Sequence, residues 1–154
     1  MGRQKPSKPR RERPEPVTHD HSTGFDHDTN DFGGLPVNGG LLADLIGAAL
    51  DGCTTCQDPL LTLLAEDPVT TARMVSVACI AVAEVTGGGL PSSLLNPDTP
   101  GFASQEFRKI ANAGVNQDTE DLTAAKMLGV IVPMTPTERR AAANSALDLI
   151  AGSL

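Results

Sequence analysis

Asp67-Pro68-Val69-Thr70-Thr71-Ala72-Arg73-Met74-Val75-Ser76-Val77-Ala78-Cys79-Ile80-Ala81-Val82-Ala83-Glu84-Val85-Thr86-Gly87-Gly88-Gly89 carries the marks of a helix at both ends. Asp67 is suited to the N-cap and Pro68 to the first helical position, where its missing N–H has no intrahelical partner to lose. The run of glycines stops it. Between these ends apolar residues fall on nearly every face, the pattern of a helix central to a core or crossing a membrane. Only ten uncharged residues separate Arg73 from Glu84, well short of the about 18 that a bilayer span requires. The Val and Ile content would suit a strand, but the length and the Asp-Pro start favour a helix. The segment is therefore expected in the middle of a helical bundle, with no membrane contact.

Helix punctuation continues on both sides. Upstream, Asn38 precedes Gly39-Gly40 and the series Leu41, Leu42, Leu45, Ile46, Ala49, Leu50, spaced by three and four as one helix face, with Gly52 at its end. Asp58-Pro59 repeats the Asp-Pro device and is expected to open a short second helix through Leu60, Leu61, Leu63 and Leu64. Downstream, residues 87–101 read as a loop with a helical turn near 92–95. A fourth helix is expected over 102–113, ending at Gly114. A fifth, capped by Asp118, is expected over 119–128 and stopped by Gly129. Thr135-Pro136-Thr137-Glu138 is the strongest local signal: Thr at the N-cap, Pro next and Glu at the third helical position form a capping box for a last helix to about residue 151. The fold class expected is all-α, a compact bundle of five or six short helices over residues 38–154.

Composition agrees with this class. The 154 residues (16.0 kDa) are 40% hydrophobic but only 3% aromatic, with four Phe and no Tyr or Trp. A core of small aliphatics follows, and aromatic-rich sandwiches, base-stacking platforms and membrane girdles are excluded. The net charge of −7 hides segments of opposite sign. Residues 1–16 hold six basic and two acidic groups, and residues 17–34 hold four Asp and no Lys or Arg. With five prolines and almost no apolar run, residues 1–37 are expected to be a disordered arm, unable to offset the entropy of ordering. No apolar stretch follows its positive charges, Arg10-Arg11 lacks the hydrophobic region of a twin-arginine signal, and Pro6 stands where a myristoylation site has Ser or Thr. A cytoplasmic protein is expected, and the general style suits a bacterial or phage source.

Four features invite chemical readings. Arg3, Lys5, Lys8, Arg10, Arg11 and Arg13, spaced by prolines, form an extended basic stretch that can touch phosphates or an acidic protein surface, weakly and with strong salt dependence. The acidic stretch behind it can instead fold onto it and mask it. Asp26, Asp28 and Asn30 match the first three ligands of a calcium loop, but Asp31 replaces its Gly and Val37 its bidentate Glu. Phe25 and Phe32, flanked by Asp, read as a short docking element. Cys53-Thr54-Thr55-Cys56 is a C-x-x-C pair with Cys79 in the apolar helix. A structural zinc site needs a fourth ligand and a redox pair a βαβ setting, neither of which is apparent, so small turn residues and a core hydrophobe are the simpler reading. No metal and no cofactor is expected.

Residues 122–130, Leu-Thr-Ala-Ala-Lys-Met-Leu-Gly-Val, resemble the first helix and turn of bacterial helix-turn-helix regulators, with small Ala125 and a turn Gly129. The resemblance implies a recognition helix after Val130 that presents Arg139 and Arg140 to DNA. Pro133 and Pro136 delay that helix, and Asp118, Glu120, Asp121 and Glu138 surround it with negative charge. The three His, at 19, 21 and 27, all lie in the arm, away from any core nucleophile. The leading expectation is a non-enzymatic adaptor or interaction module that binds an unidentified protein partner or a second copy of itself, with a DNA-binding regulator over residues 119–151 as the alternative.

Overall fold

The computed structural model of the chain describes residues 31–98 and 103–153. The described residues form an all-α bundle of six helices preceded by a two-stranded hairpin. The hairpin pairs β1 (Asp31–Phe32) with β2 (Leu35–Pro36), antiparallel, with Phe32 opposite Leu35. The helices are α1 (Gly39–Leu50), α2 (Thr54–Ala65), α3 (Pro68–Thr86), α4 (Gln105–Gly114), α5 (Glu120–Ile131) and α6 (Pro136–Ser153), with a short 3-10 turn at Ser92–Leu94.

The helix α3 has the expected bounds. Asp67 caps it, its carboxylate accepting from the Thr70 N–H (3.1 Å) and from the Thr70 hydroxyl (2.7 Å). Thr70 is fully buried, and its hydroxyl oxygen in turn accepts the Asn38 N–H (2.9 Å), which ties the start of α1 to the start of α3. Length and composition alone would let α3 cross a membrane, but here it packs most extensively on α6 and also touches α2, α4 and α5. Both helices bury small residues, Ala72 and Ala78 in α3 and Ala142, Ala143 and Ala146 in α6, all without exposed surface. Small side chains let two helix axes approach closely, as a core without Trp or Tyr requires. Ser104 joins α4 to α6: its hydroxyl caps α4 by accepting the Phe107 N–H and donates to the Ala141 carbonyl, while its N–H donates to the Ser145 hydroxyl.

The capping box at Thr135 is formed in both directions, with the Thr135 N–H on Glu138 Oε1 (2.9 Å) and the Glu138 N–H on Thr135 Oγ1 (3.2 Å). One turn later Arg139 is buried, 8% exposed. Its Nε donates to the carbonyl of Ala65, the last residue of α2 (2.6 Å), and its Nη1 reaches the carbonyls of Ile131, Val132 and Met134 at the end of α5. One guanidinium thus supplies donors to two helix C-termini, where carbonyls lack intrahelical partners and a cation is favoured.

Three local signals mislead. Asp58-Pro59 does not open α2; the helix begins at Thr54 with Cys53 as N-cap, and Pro59 lies inside it. Burial of Cys56, Leu60, Leu61 and Leu64 on one face outweighs the single hydrogen bond that the proline removes. The Asp58 carbonyl accepts from the Thr62 hydroxyl and from Arg140 instead. Likewise Gly129 does not stop α5, which runs on to Ile131 because that side chain and Met127 are buried; Thr119, not Asp118, caps its start. Finally, the helical body is preceded by ordered contacts before residue 38. Phe32 and Val37 are buried, and the Gly33-Gly34 turn, both at positive φ, closes the hairpin as only glycines readily do. A Cβ on Gly33 would stand 2.7 Å from that of Ala124, so the hairpin lies directly on α5.

Two substitutions test this account by thermal unfolding. Gly129→Ala is expected to stabilise the protein by about 0.5–1 kcal/mol, raising Tm by roughly 1–4 °C, since Gly129 sits within a helix with open space about it; a lower Tm would mean that Gly129 serves as a turn. Arg139→Met is expected to cost about 3 kcal/mol, roughly 6–12 °C in Tm, by stranding the carbonyls at two helix ends. Arg139→Lys is expected to recover only part of this loss, because a point ammonium lacks the planar fork.

Candidate functional site

A cavity of about 620 Å³ opens beside α3, and no residue of α6 is in its lining. The α3 wall follows helical spacing, with Arg73, Ser76, Ile80 and Ala83 on one face and Cys79 beside them. Gly88, Gly89, Leu90 and Leu95 from the loop after α3 form a second wall. The end of α4 contributes Ala111 and Gly114, and α5 contributes Glu120, Thr123 and Met127. Asn116, in the left-handed conformation (φ 64°), turns the chain between α4 and α5 at the cavity edge. Phe32 of the hairpin completes the lining, with the Arg73 guanidinium 6.0 Å from its ring centroid, within cation–π range.

This space has a mainly apolar lining, with a few polar and charged side chains. Its size falls in the range of ligand sites, which combine apolar walls with a few polar groups. Ile80 is 51% exposed at its margin, and the two charged groups, Arg73 and Glu120, come from different helices. Cys79 has partial exposure, yet burial pushes its thiol up to about 12, so at neutral pH it is a protonated, weakly polar wall rather than a thiolate.

The chain matches no protein-family model, and comparison with curated proteins and with solved structures returns no match.

The residues singled out in the sequence are scattered by the fold. Phe32 is not an exposed docking side chain: at 2% exposure it is core, with the hairpin packed on α3 and its Gly33 turn against Ala124 of α5. Arg139 is buried rather than presented on the surface, with its donors on carbonyls at the ends of α2 and α5. Arg140 pairs with Asp58, and its Nη1 donates to the Asp58 carbonyl and the Thr62 hydroxyl (2.9 Å each). The exposed side of α6 carries Glu138, Asn144 and Asp148, and α6 packs on α1, α2, α3 and α4. Cys53 and Cys56 lie at the N-terminus of α2 rather than ahead of it, Cys53 half-buried as the N-cap and Cys56 buried in the first turn. Cys79 is at the cavity, and among the described residues no group of three His, Cys, Asp or Glu is arranged to hold a metal ion. Arg3, Lys5, Lys8, Arg10, Arg11, Arg13, Phe25 and the partial calcium loop at 26–30 lie outside the described residues, as does Phe102.

Two buried arginines and the cavity itself escaped sequence reasoning. Arg108, 6% exposed, donates to the carbonyls of Ser104 and Asn96 and so fixes the loop after α3 to α4. The cavity had a partial signal in the apolar face of α3 that continues past what one neighbouring helix can cover.

Cys79 gives the site a pH signature. Below about pH 9 the thiol is protonated in both folded and unfolded chains, and its contribution to stability is constant. Between 9 and about 12 only the unfolded thiol ionises, so stability falls as pH rises. Urea unfolding on either side of pH 9 is expected to show a steeper alkaline loss in the wild type than in Cys79→Ala, by up to about 1.4 kcal/mol per pH unit. Equal slopes would mean that the thiol is solvated.

Proposed function

We propose that the protein is a non-enzymatic helical interaction module whose cavity between α3, α4 and α5 receives an apolar side chain from a protein partner. The observation that carries this reading is the cavity of about 620 Å³, walled by Ile80, Ala83, Leu90 and Met127 and margined by the half-exposed Ile80. An apolar anchor entering such a space supplies most of the binding energy, as hot-spot residues do at interfaces. A binding role is also supported by the state of Cys79, the one thiol in the cavity, which is protonated at neutral pH and so a poor nucleophile. The regulator reading draws no support from Arg139 and Arg140, whose donors are engaged within the bundle.

Selection of random peptides on the full chain tests the proposal. Bound peptides are expected to share a large apolar residue and to lose affinity on Ala83→Trp, which fills the cavity. Burial of one Leu or Phe amounts to about 1.5–3 kcal/mol, so the loss is expected to be roughly ten- to hundredfold. Peptides that bind the variant undiminished would place the interaction elsewhere and overturn the assignment of the cavity.

A further inference from the structure

The hairpin puts one wall of the cavity at the point where the described structure begins. Phe32 lines the space, and Asp31 is its immediate neighbour in the chain. The thirty residues upstream hold only three large apolar side chains, Met1, Val17 and Phe25. Phe25 is seven residues from Phe32, within about 25 Å even for a fully extended chain, and Val17 and Met1 are much further along the tether. An apolar cavity of about 150 Å³ already accepts a benzene ring, so a space of about 620 Å³ has ample room for a Phe side chain. Charge agrees as well. Phe25 is followed by Asp26 and Asp28, and Arg73 faces the cavity with the Phe32 ring as its partner and no carboxylate paired with it among the described residues. Glu120, on the α5 side, disfavours a carboxylate there and so favours the α3 side for Asp26.

We propose that in the isolated chain the cavity is occupied by the protein's own arm, with the Phe25 ring inserted beside Phe32 and the Asp26 carboxylate on Arg73. This rests on the reading of the cavity as a receptor for an apolar side chain and names its resident occupant. A tether of seven residues holds Phe25 at high effective concentration, so one buried ring suffices where a free peptide would need more contacts. A partner then binds by displacing Phe25, and its apparent affinity is lowered by the fraction of open cavity.

The test uses the full chain labelled with 4-fluorophenylalanine, whose four fluorines are assigned by single Phe→Leu substitutions. Solvent exposure is read from the fluorine shift between H2O and D2O. The Phe25 signal is expected to show less than half the isotope shift of the free amino acid, and Ala83→Trp is expected to restore the full shift while the buried Phe107 signal reports an intact fold. Arg73→Gln or added salt is expected to raise the exposure of Phe25 partway. Phe25→Ala is expected to tighten the binding of cavity-dependent peptides by roughly two- to tenfold. A fully exposed Phe25 signal in the wild type, or a shielded one unmoved by Ala83→Trp, overturns the proposal. Shielding that grows with protein concentration overturns it in favour of a second copy as the occupant. Peptides that depend on the cavity while Phe25 is exposed would sink this inference and leave the interaction-module reading standing; a shielded Phe25 without such peptides would do the reverse.

Discussion

The guanidinium of Arg139 is the contact on which the bundle's arrangement depends. It belongs to α6 but serves the C-termini of α2 and α5, two helices far apart in sequence. Burying a cation is costly unless its donors are met, and here they fall on carbonyls at and just beyond two helix C-termini, Ala65 at the end of α2 and Ile131, Val132 and Met134 at the end of α5. The exchange fixes three helix ends in one place. The capping box four residues earlier sets where α6 begins, and hence where Arg139 stands. Displacing the start of α6 by one residue would rotate that side chain about 100° around the helix axis and leave both termini uncapped.

The α3–α6 packing and the open cavity are two results of the same composition. Both α3 and α6 bury alanines, and α3 packs on α6 more extensively than on any other helix. The face of α3 at the cavity carries Ile80 and Ala83 beside Arg73 and Ser76, and the elements around it end in small or turn residues: Gly88 and Gly89 after α3, Gly114 at the end of α4. A chain with two aromatic residues in its described part has few side chains large enough to fill the remaining space, and those two, Phe32 and Phe107, are already buried. The hollow beside α3 is therefore a consequence of sequence, with packing density high on one side and forfeited on the other.

Local signals in the sequence were reliable where nothing distant competed with them. Asp67-Pro68 and Gly87 bound α3, and the Thr135 box starts α6, because each satisfies backbone groups within a few residues. They failed where tertiary burial outweighed them. Pro59 lies inside α2 since the apolar face from Cys56 to Leu64 gains more than the proline loses, and Gly129 is carried along by Met127 and Ile131. Arg139 read as a surface cation because its partners lie at Ala65 and Ile131, and no spacing rule links those positions. The cavity was illegible for the same reason. Its walls come from residues 32, 73–83, 88–95, 111–116 and 120–127, and only the fold brings them together.

The hairpin changes the meaning of the chain's charge map. If the body began at Asn38, the acidic stretch and the helices would be separable parts. Instead Phe32 and Val37 are core, and the Gly33-Gly34 turn rests on Ala124 of α5 at a distance that excludes any side chain. The first described residue, Asp31, thus stands next to Phe32 at the cavity wall, and Phe32 in turn faces the Arg73 cation. Cutting the chain at Gly34 would remove Phe32, and with it both a wall of the cavity and the ring that holds Arg73. Loss of binding after such a truncation would report on the damaged wall as much as on the missing arm, so the arm's role is resolved by substitutions upstream of Asp31 that leave the hairpin whole.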